Sequence, residues 1–579
     1  MKEPIIGIDL GTTNSEVAIV KDGVPVVISE NNCKILPSFV SLSEEGKILV
    51  GEPAKNQYLL YPERTIKSIK RKMGTNEIVT MGDKTYTPQE ISAMILKKLK
   101  SIAESYLGQE VKKAVITVPA YFSDAQRQAT RDAGEIAGLE VVRIINEPTA
   151  AALAYESDHK GEKKILVYDL GGGTFDVSVV SLQEGVVEVL SGHGNNHLGG
   201  DDFDNKIAQE IVSRFKEAHE VDLFSSIRSK ARVIRTSEKA KITLSDNPFA
   251  TIEEEYIIEK DGVPLNLQTE ISRHEYESMI QPFIDETLDA VHTALRGAEL
   301  SASQIDEILL VGGATRTPII TAMLKDNFNK LPRKEIDPDL CVAIGAAIQA
   351  AMIAGETVSA VLIDITPYTF GTSGIGLLDG IPYPYVYAPL IEKNTAIPVS
   401  KSEVFYTFVD NQETVEVKVY QGEHKDATKN ILIGSFLIQG LSRVAAGNEI
   451  ITQFDLDVNG ILHVSSTEKR TGLKKFITID NAISQFEQEK MDEAKEKVRA
   501  LFSDEKPVVK TTSTDSPAIL EAKELIKKAG EKLDSIPEED KEEVINFIED
   551  IKDAIEKNDI ESMEDMCREL EEILFYVET

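Results

Sequence analysis

Cysteine is scarce in this chain. Cys33, Cys341 and Cys567 are the only three among 579 residues, far apart and with no Cys-x-x-Cys pair. So odd and sparse a set argues against a disulfide framework and for reduced thiols in a cytoplasm. Positive charge is also short: 63 Lys and Arg stand against 97 Asp and Glu, a net charge of −34. Phosphate backbones and anionic lipid surfaces would be repelled, so neither nucleic acid nor membrane is an expected partner. Long apolar runs are missing. The most membrane-like stretch, CVAIGAAIQAAMIAG (341–355), is too short to span a bilayer and contains Gln349, so it reads as a buried helix. The first apolar run carries Glu3 and Asp9, which does not fit a secretory signal. There is no GxxxxGK[ST] segment, so a P-loop is not expected.

What is present falls into blocks. An apolar share of 42% suffices for ordinary cores, and the length predicts several domains. Residues 1–356 alternate apolar strands, such as KKAVITVPAYF (112–122) and EILLVGG (307–313), with helical periodicity over 88–106, 123–137, 204–218 and 226–244. That is an α/β pattern. Residues 357–364 form a short apolar linker. Residues 365–483 switch to short alternating strands: Val415, Val417 and Val419 share one face, and Asn459-Gly460 marks a hairpin. An all-β sandwich is expected there. Residues 484–579 are charged and helical, with Ser516, Pro517 and Gly530 in capping positions and 503–517 read as a loop. Apolar stripes at Val544, Phe547, Ile548, Ile551 and Ile555, and at Met563, Met566, Leu570, Ile573 and Val577, predict a small bundle.

One pattern occurs twice. IIGIDLGTTNSEVAIV (5–20) and LVYDLGGGTFDVSVV (166–180) each run a strand into an acid, a glycine–threonine turn and a returning strand. Repetition indicates a duplicated unit. Glycine lets an anion approach backbone N–H groups, and threonine adds a hydroxyl donor. An acid before the turn repels phosphate but suits magnesium held through water. Two such hairpins can grip a polyphosphate from both sides. LLVGGATRTP (309–318) offers Gly312 and Gly313 to a nucleoside. His193 and His197, four residues apart, lack a third ligand and are not read as a metal site.

With GIDLGTTNS, VYDLGGGTFDVS, INEPTAAALAY (145–155), HLGGDDFD and LLVGGATRTP in this order, the chain resembles the seventy-kilodalton heat-shock family, the DnaK-type chaperones. The resemblance covers nearly the whole chain. It implies a duplicated, ribonuclease H-like, actin-like ATPase, a β-sandwich that binds peptide, and a helical lid. Carried over by motif, Gly11, Thr12, Thr13 and Asn14 line one phosphate turn, and Gly171, Gly172, Gly173 and Thr174 the other. Asp9 and Asp169 orient hydrated magnesium, with potassium allowed as a further ion. Lys70 and Glu147 position the attacking water, and Thr174 and Asp176 stand near the γ-phosphate. Glu238, Lys241, Ser245, Gly312, Gly313, Arg316 and Asp339 serve the nucleoside side, and Gly200 and Asp202 complete the cleft. Phe370, Ile375, Phe405, Phe408 and Val415 are expected near a bound peptide. Pro119, Arg127, Arg143, Leu362 and Asp364 are expected on a relay between nucleotide and linker. The implied partners are unfolded polypeptides, a J-domain protein and a nucleotide-exchange factor.

An actin-like ATPase alone would equally suit a metabolite kinase or a filament protein, but neither needs a sandwich followed by helices. Within the chaperone reading, a general role and a specialised role with a narrow client set both stand. Departures from the family pattern favour the second: Ser359 where the linker normally starts with aspartate, a longer loop at 372–389, bulky Phe408 beside the expected cleft, and the interruption at 503–517.

Overall fold

The computed structural model describes residues 3–479 and 488–502, except 44, 159–160, 184, 334–336 and 357–360, with scattered helical positions between 522 and 573. Two sheets of related topology dominate the first 365 residues. In one, strands run in the order Glu140–Asn146, Lys113–Val118, Ile5–Leu10, Asn14–Lys21 and Val24–Val27. In the other the order is Glu307–Val311, Lys163–Leu170, Phe175–Gln183, Val186–Asn195 and Val361–Ile365. Each sheet has an antiparallel meander whose first strand also pairs with a parallel neighbour. This is the duplication that the repeated motif predicts.

The helices start where local chemistry allows. Capping boxes at Thr87/Glu90, Ser123/Gln126 and Ser272/Glu275 satisfy the first N–H groups of helices Pro88–Leu107, Asp124–Ile136 and Arg273–Gly297. The apolar stretch at 341 forms the buried helix Cys341–Ile353, and among the described residues no helix is long and apolar enough to cross a membrane. This helix lies against helix Glu147–Asp158 at the meeting of the two lobes. A Cβ on Gly345 would fall 1.8 Å from the Ala150 carbonyl oxygen, so only glycine allows so close a crossing.

One ion cluster pins the outer strand of the second lobe. Glu307 accepts from Lys163 Nζ and Arg333 Nη2, each at 2.7 Å, and from the Tyr155 hydroxyl. Burial raises its proton affinity, but these hydrogen bonds outweigh it and hold the carboxyl down to about 2. A depressed folded-state pKa contributes stability above the unfolded value and loses it as pH falls through the folded one. Glu307→Gln therefore lowers the thermal midpoint at pH 7. The gap to wild type closes as pH falls from 4.5 toward about 2, which thermal melts across that window read directly.

The linker strand Val361–Ile365 extends the second lobe's sheet, with Val361, Leu362 and Ile363 parallel to Val186, Val187 and Glu188. Beyond it two four-stranded antiparallel sheets pack face to face. Their inner face joins Phe370, Ile391, Val419, Ile433, Phe454, Leu456, Leu462 and Val464. Asn459-Gly460 turns the hairpin between Glu449–Leu456 and Leu462–Glu468, as its sequence predicts. Segment 372–389 is not a loop. Strands Phe370–Leu378 and Ile381–Ile391 form one long hairpin, closed by Asp379 and Gly380 at φ 51° and 83°. Two successive left-handed residues make the tight turn that matches strand twist. The three prolines and scattered glycines hid it, because proline is tolerated on an outer strand, and Ile381–Ile391 is one.

By compactness the chain divides into Met1–Phe502 and Ser503–Thr579. Helix Gln488–Phe502 belongs to the first unit, although its sequence groups it with the later helices. Met491, Ala494 and Val498 are buried in the first lobe's core, and Lys497 pairs with Glu90 at 2.8 Å. In the second unit Ala522, Leu525, Ala529, Val544, Ile551, Ala554 and Leu570 share a core, with Phe547, Met566 and Ile573 against it. Ser359, Ser516, Pro517, Gly530, Ile548, Ile555, Met563, Val577 and the segment 503–517 lie outside the described residues.

Candidate nucleotide-binding and hydrolysis site

The two glycine turns face each other across a cleft of about 340 Å³ between the lobes. On one side stand Gly11, Thr12, Thr13 and Asn14, and on the other Gly171, Gly172 and Thr174. The first turn is tied down by Ser38, whose Oγ donates to the Gly11 carbonyl at 2.8 Å. The second is closed by the Gly171 N–H to the Thr174 carbonyl at 3.1 Å and braced from behind by Gly200 and Asp201 N–H groups. The turns approach so closely that a Cβ on Gly172 would lie 1.9 Å from Thr13 Oγ1. Gly172→Ala must part them. Overpacking of this kind costs about 1–3 kcal/mol, so nucleotide affinity falls about tenfold or more in calorimetry.

Between the turns lie the carboxylates and one buried cation. Lys70 and Glu147 are 4% and 7% exposed and form an ion pair. Lys70 sits in the short turn Ile69–Lys72, and Glu147 opens helix Glu147–Asp158. Asp9 accepts from Thr117 Oγ1 at 2.7 Å, yet burial and the nearby Glu147 push its pKa up to about 7. Asp176 accepts from the Tyr121 N–H at 3.0 Å and is likewise raised to about 7, by burial and Glu147. Asp169 is raised well above the ordinary carboxylate range by burial, then by Glu147, Asp176 and Asp9. Among the described residues its buried Oδ2 has no hydrogen-bond partner.

The cleft is also lined by Gly312, Gly313, Arg316, Asp339, Glu238 and Lys241, the residues expected on the nucleoside side, and by Gly200. Arg316 donates to Asp339 at 2.6 Å, and Lys241 to the Gly200 carbonyl at 3.1 Å. Four expected residues stand behind the lining rather than in it. Gly173 packs against Thr12 and Arg71. Asp176 holds the Tyr121 backbone. Asp202 caps helix Gly200–His219 and pairs with Arg71 at 3.2 Å. Ser245 Oγ bonds back to the Lys241 carbonyl at 3.3 Å. Sequence reading missed Glu16, Ile242, Val311, Ala314, Pro338 and Val342, all of which line the cleft. Glu16 had a signal: an acid follows each turn's leading acid by seven residues, Asp9 to Glu16 and Asp169 to Asp176. The apolar lining had none, because only the fold aims it.

The residues expected on a relay converge. Asp364, 8% exposed, accepts from Asn146 Nδ2 at 2.9 Å and Thr149 Oγ1 at 3.3 Å. Arg127 donates to Asn146 Oδ1 at 2.7 Å and to the Ala120 carbonyl at 3.0 Å. Asn146 immediately precedes Glu147, so the hydrogen-bond partner of the linker carboxylate is one peptide bond from a residue that lines the cleft. Pro119 is buried at the end of strand Lys113–Val118, Leu362 pairs with Val187, and the charge of half-buried Arg143 faces Asp364 and Asp457. The Tyr368 hydroxyl donates to the Tyr121 carbonyl at 2.7 Å, a contact the sequence did not suggest. His193 lies 3.4 Å from Lys393 Nζ, and the His197 carbonyl accepts from Arg71.

The expected peptide contacts do not share one environment. Phe370 is 3% exposed in the sandwich core. Val415 is half-buried against Val417, Ile438, Leu441 and Ile450. Phe405 is half-buried opposite Ile450. Ile375 and Phe408 are exposed, at 59% and 68%.

Comparison with known proteins agrees with this architecture. The family model described as Hsp70 protein matches residues 5–578. Among curated relatives, the Chaperone protein DnaK of Thermosipho africanus is 46% identical over 580 residues, covering 98% of this chain and 95% of its own length. Those of Thermotoga petrophila and Thermotoga maritima are each 46% identical over 570 residues, covering 96% of this chain and 94% of theirs. A duplicated α/β cleft with twin glycine turns, a peptide-binding sandwich and C-terminal helices, matched from end to end by these relatives, place the chain in the Hsp70 family as an ATP-hydrolysing chaperone of DnaK type.

Proposed function

We propose that Lys70 and Glu147 position the water that attacks the γ-phosphorus, and that the cleft reports the outcome to the sandwich through Asn146 and Asp364. Attack forms a bond from water oxygen to phosphorus and breaks the bond to the β-phosphate oxygen, leaving ADP and inorganic phosphate. Phosphoryl transfer needs positioning and charge stabilisation more than covalent chemistry. Lys70 supplies a fixed cation, and Glu147 an acceptor for a water proton. Thr12, Thr13 and Thr174 offer hydroxyls, and the turns offer N–H groups. The residues fit magnesium: Asp169 keeps a buried oxygen unpartnered, and Asp9, Asp169 and Asp176 have no basic partner within ion-pair reach among the described residues. Held by Asp9 and Asp169 through water, the ion would neutralise phosphate charge.

The observation that carries the coupling is the linker strand lying in the second lobe's sheet while Asp364 is clamped beside Glu147. A chaperone in this arrangement exchanges extended polypeptide readily; loss of the γ-phosphate frees the linker and slows release. Client specificity then falls to the sandwich, where the long hairpin leaves Ile375, Leu377 and Ile381 exposed. That surface supports a restricted client set, and failure to refold a generic denatured enzyme would support it further. A J-domain protein to stimulate hydrolysis, a nucleotide-exchange factor and a cytoplasmic setting belong to this reading; Cys33 and Cys341 are free thiols. Family membership removes the metabolite-kinase and filament alternatives. The deciding measurement is release of a fluorescent apolar peptide: ATP accelerates it between about 5- and 150-fold over ADP, the usual range of ligand coupling. Equal rates would refute the coupling.

A further inference from the structure

Where the sandwich meets the second lobe, two basic side chains face each other. His193 lies near the end of strand Val186–Asn195, and Lys393 follows strand Ile381–Ile391 of the sandwich. Lys393 Nζ stands 3.4 Å from His193 Nδ1, across 200 positions of sequence. Tyr121, from the first lobe, closes the contact. Its ring meets the His193 ring edge-on at 5.2 Å, and Lys393 Nζ lies 5.2 Å from the centre of the same ring. Both basic residues are half-buried, and neither backbone is free to move. His193 is held in the ladder opposite Val177. The Lys393 N–H donates to Thr369 Oγ1 at 3.0 Å, and Thr369 Oγ1 donates to Glu423 at 2.7 Å.

The contact turns on one proton. A neutral imidazole with its proton on Nε2 offers Nδ1 as an acceptor to the lysine ammonium. A protonated imidazole has two donors and no acceptor, so it sets two cations against each other. The charged groups acting on His193 are both basic: Lys393 from the sandwich and Arg296 from helix Arg273–Gly297. The acids around them are taken up elsewhere. Glu423 holds Thr369, Asp364 holds Asn146 and Thr149, Asp176 holds the Tyr121 N–H, and Glu286 accepts from Asn195. Among the described residues no carboxylate forms an ion pair with His193 or Lys393. Burial, then Lys393 and Arg296, hold the His193 pKa below its ordinary value. Once the sandwich leaves the lobes, Lys393 is gone and that value returns toward about 6.5. A proton therefore binds the separated form better than the joined one. Above about pH 6.5 both forms are neutral there. Below it the separated form gains, by at most about tenfold per pH unit, until the lowered value is reached.

We propose that His193 and Lys393 form an acid-sensitive latch between the second lobe and the sandwich, which opens when His193 takes a proton and so keeps polypeptide bound even with ATP present. The proposal rests on the reading of the joined arrangement as the form that exchanges polypeptide readily.

The test reads the imidazole itself. Full-length protein with isotope-labelled histidine is titrated by nuclear magnetic resonance, once with ADP and once with a non-hydrolysable ATP analogue. His193→Asn identifies the His193 signal among the eight histidines, with His193→Gln in reserve should the first not fold. His193 titrates near 6.5 with ADP and at least about half a pH unit lower with the analogue, a bias of about threefold or more. Lys393→Met brings the analogue value back toward the ADP value. Equal values in wild type, or a higher one with the analogue, overturn the proposal. Peptide release then separates the levels. At about pH 7.5 ATP accelerates release in wild type and in His193→Asn alike. At about pH 5.5 wild type loses about three- to tenfold more of that acceleration than His193→Asn, which keeps an acceptor for Lys393 but takes no proton. The comparison between chains is needed because Asp9 and Asp176, raised to about 7, titrate in both. Equal losses in the two chains sink the latch alone. No acceleration by ATP at about pH 7.5 sinks the reading of the joined form, and the latch with it.

Discussion

Lys70→Met slows single-turnover ATP hydrolysis about 10²–10³-fold, the usual cost of losing one preorganised group that stabilises transition-state charge. Nucleotide still binds, because the glycine turns and the nucleoside lining are untouched. The physical reason is the burial of Lys70 beside Glu147. Removing either partner leaves the other charge buried alone, which costs about 3–5 kcal/mol, whereas removing both is close to neutral. The stability and activity of the double variant Lys70→Met/Glu147→Gln therefore diverge. Denaturant unfolding places it nearer wild type than either single variant, while its hydrolysis stays at the single-variant floor. If the pair were merely structural, activity would recover along with stability.

Asp364→Ala uncouples the chain. Peptide release in ATP drops to the rate in ADP, a loss between about 5- and 150-fold. Asp364 is buried, and its removal strips acceptors from Asn146 Nδ2 and Thr149 Oγ1. Buried donors left unpaired cost about 1–3 kcal/mol, comparable to a whole coupling energy. Nucleotide affinity changes far less, since Asp364 does not line the cleft. Stopped-flow release of a labelled peptide, paired with a nucleotide titration, reads both quantities. Release that remains ATP-accelerated would show that Asp364 does not carry the signal.

Much of the proposed phosphate site was legible because its chemistry is local. A turn needs glycine, a phosphate needs nearby N–H groups, and a hydrated ion needs an acid beside it. All of these occur within about ten residues of chain, and twice. The proposed nucleoside lining was legible only through family motifs, and incompletely. Gly173, Asp202 and Ser245 sit in motif positions yet stand behind the surface, because a motif records neighbours in sequence and not the direction of a side chain. Segment 372–389 was misread for a different reason: prolines weaken the strand signal, although an outer strand tolerates them. Helix Gln488–Phe502 reads as an amphipathic helix from sequence, but its apolar face fits the first lobe's core as readily as a neighbouring helix.

Sequence alone determined the duplicated hairpins, the turn glycines, the capped helices, the hairpin at Asn459-Gly460 and the buried helix at 341, because each follows from contacts within a few residues. Tertiary structure alone decided that Lys70 meets Glu147 across 77 positions and that Asn146 joins Arg127 to Asp364. It alone placed Glu16 in the nucleotide cleft. Such meetings depend on how sheets twist and lobes pack, and a residue's own neighbourhood in the chain carries no record of that.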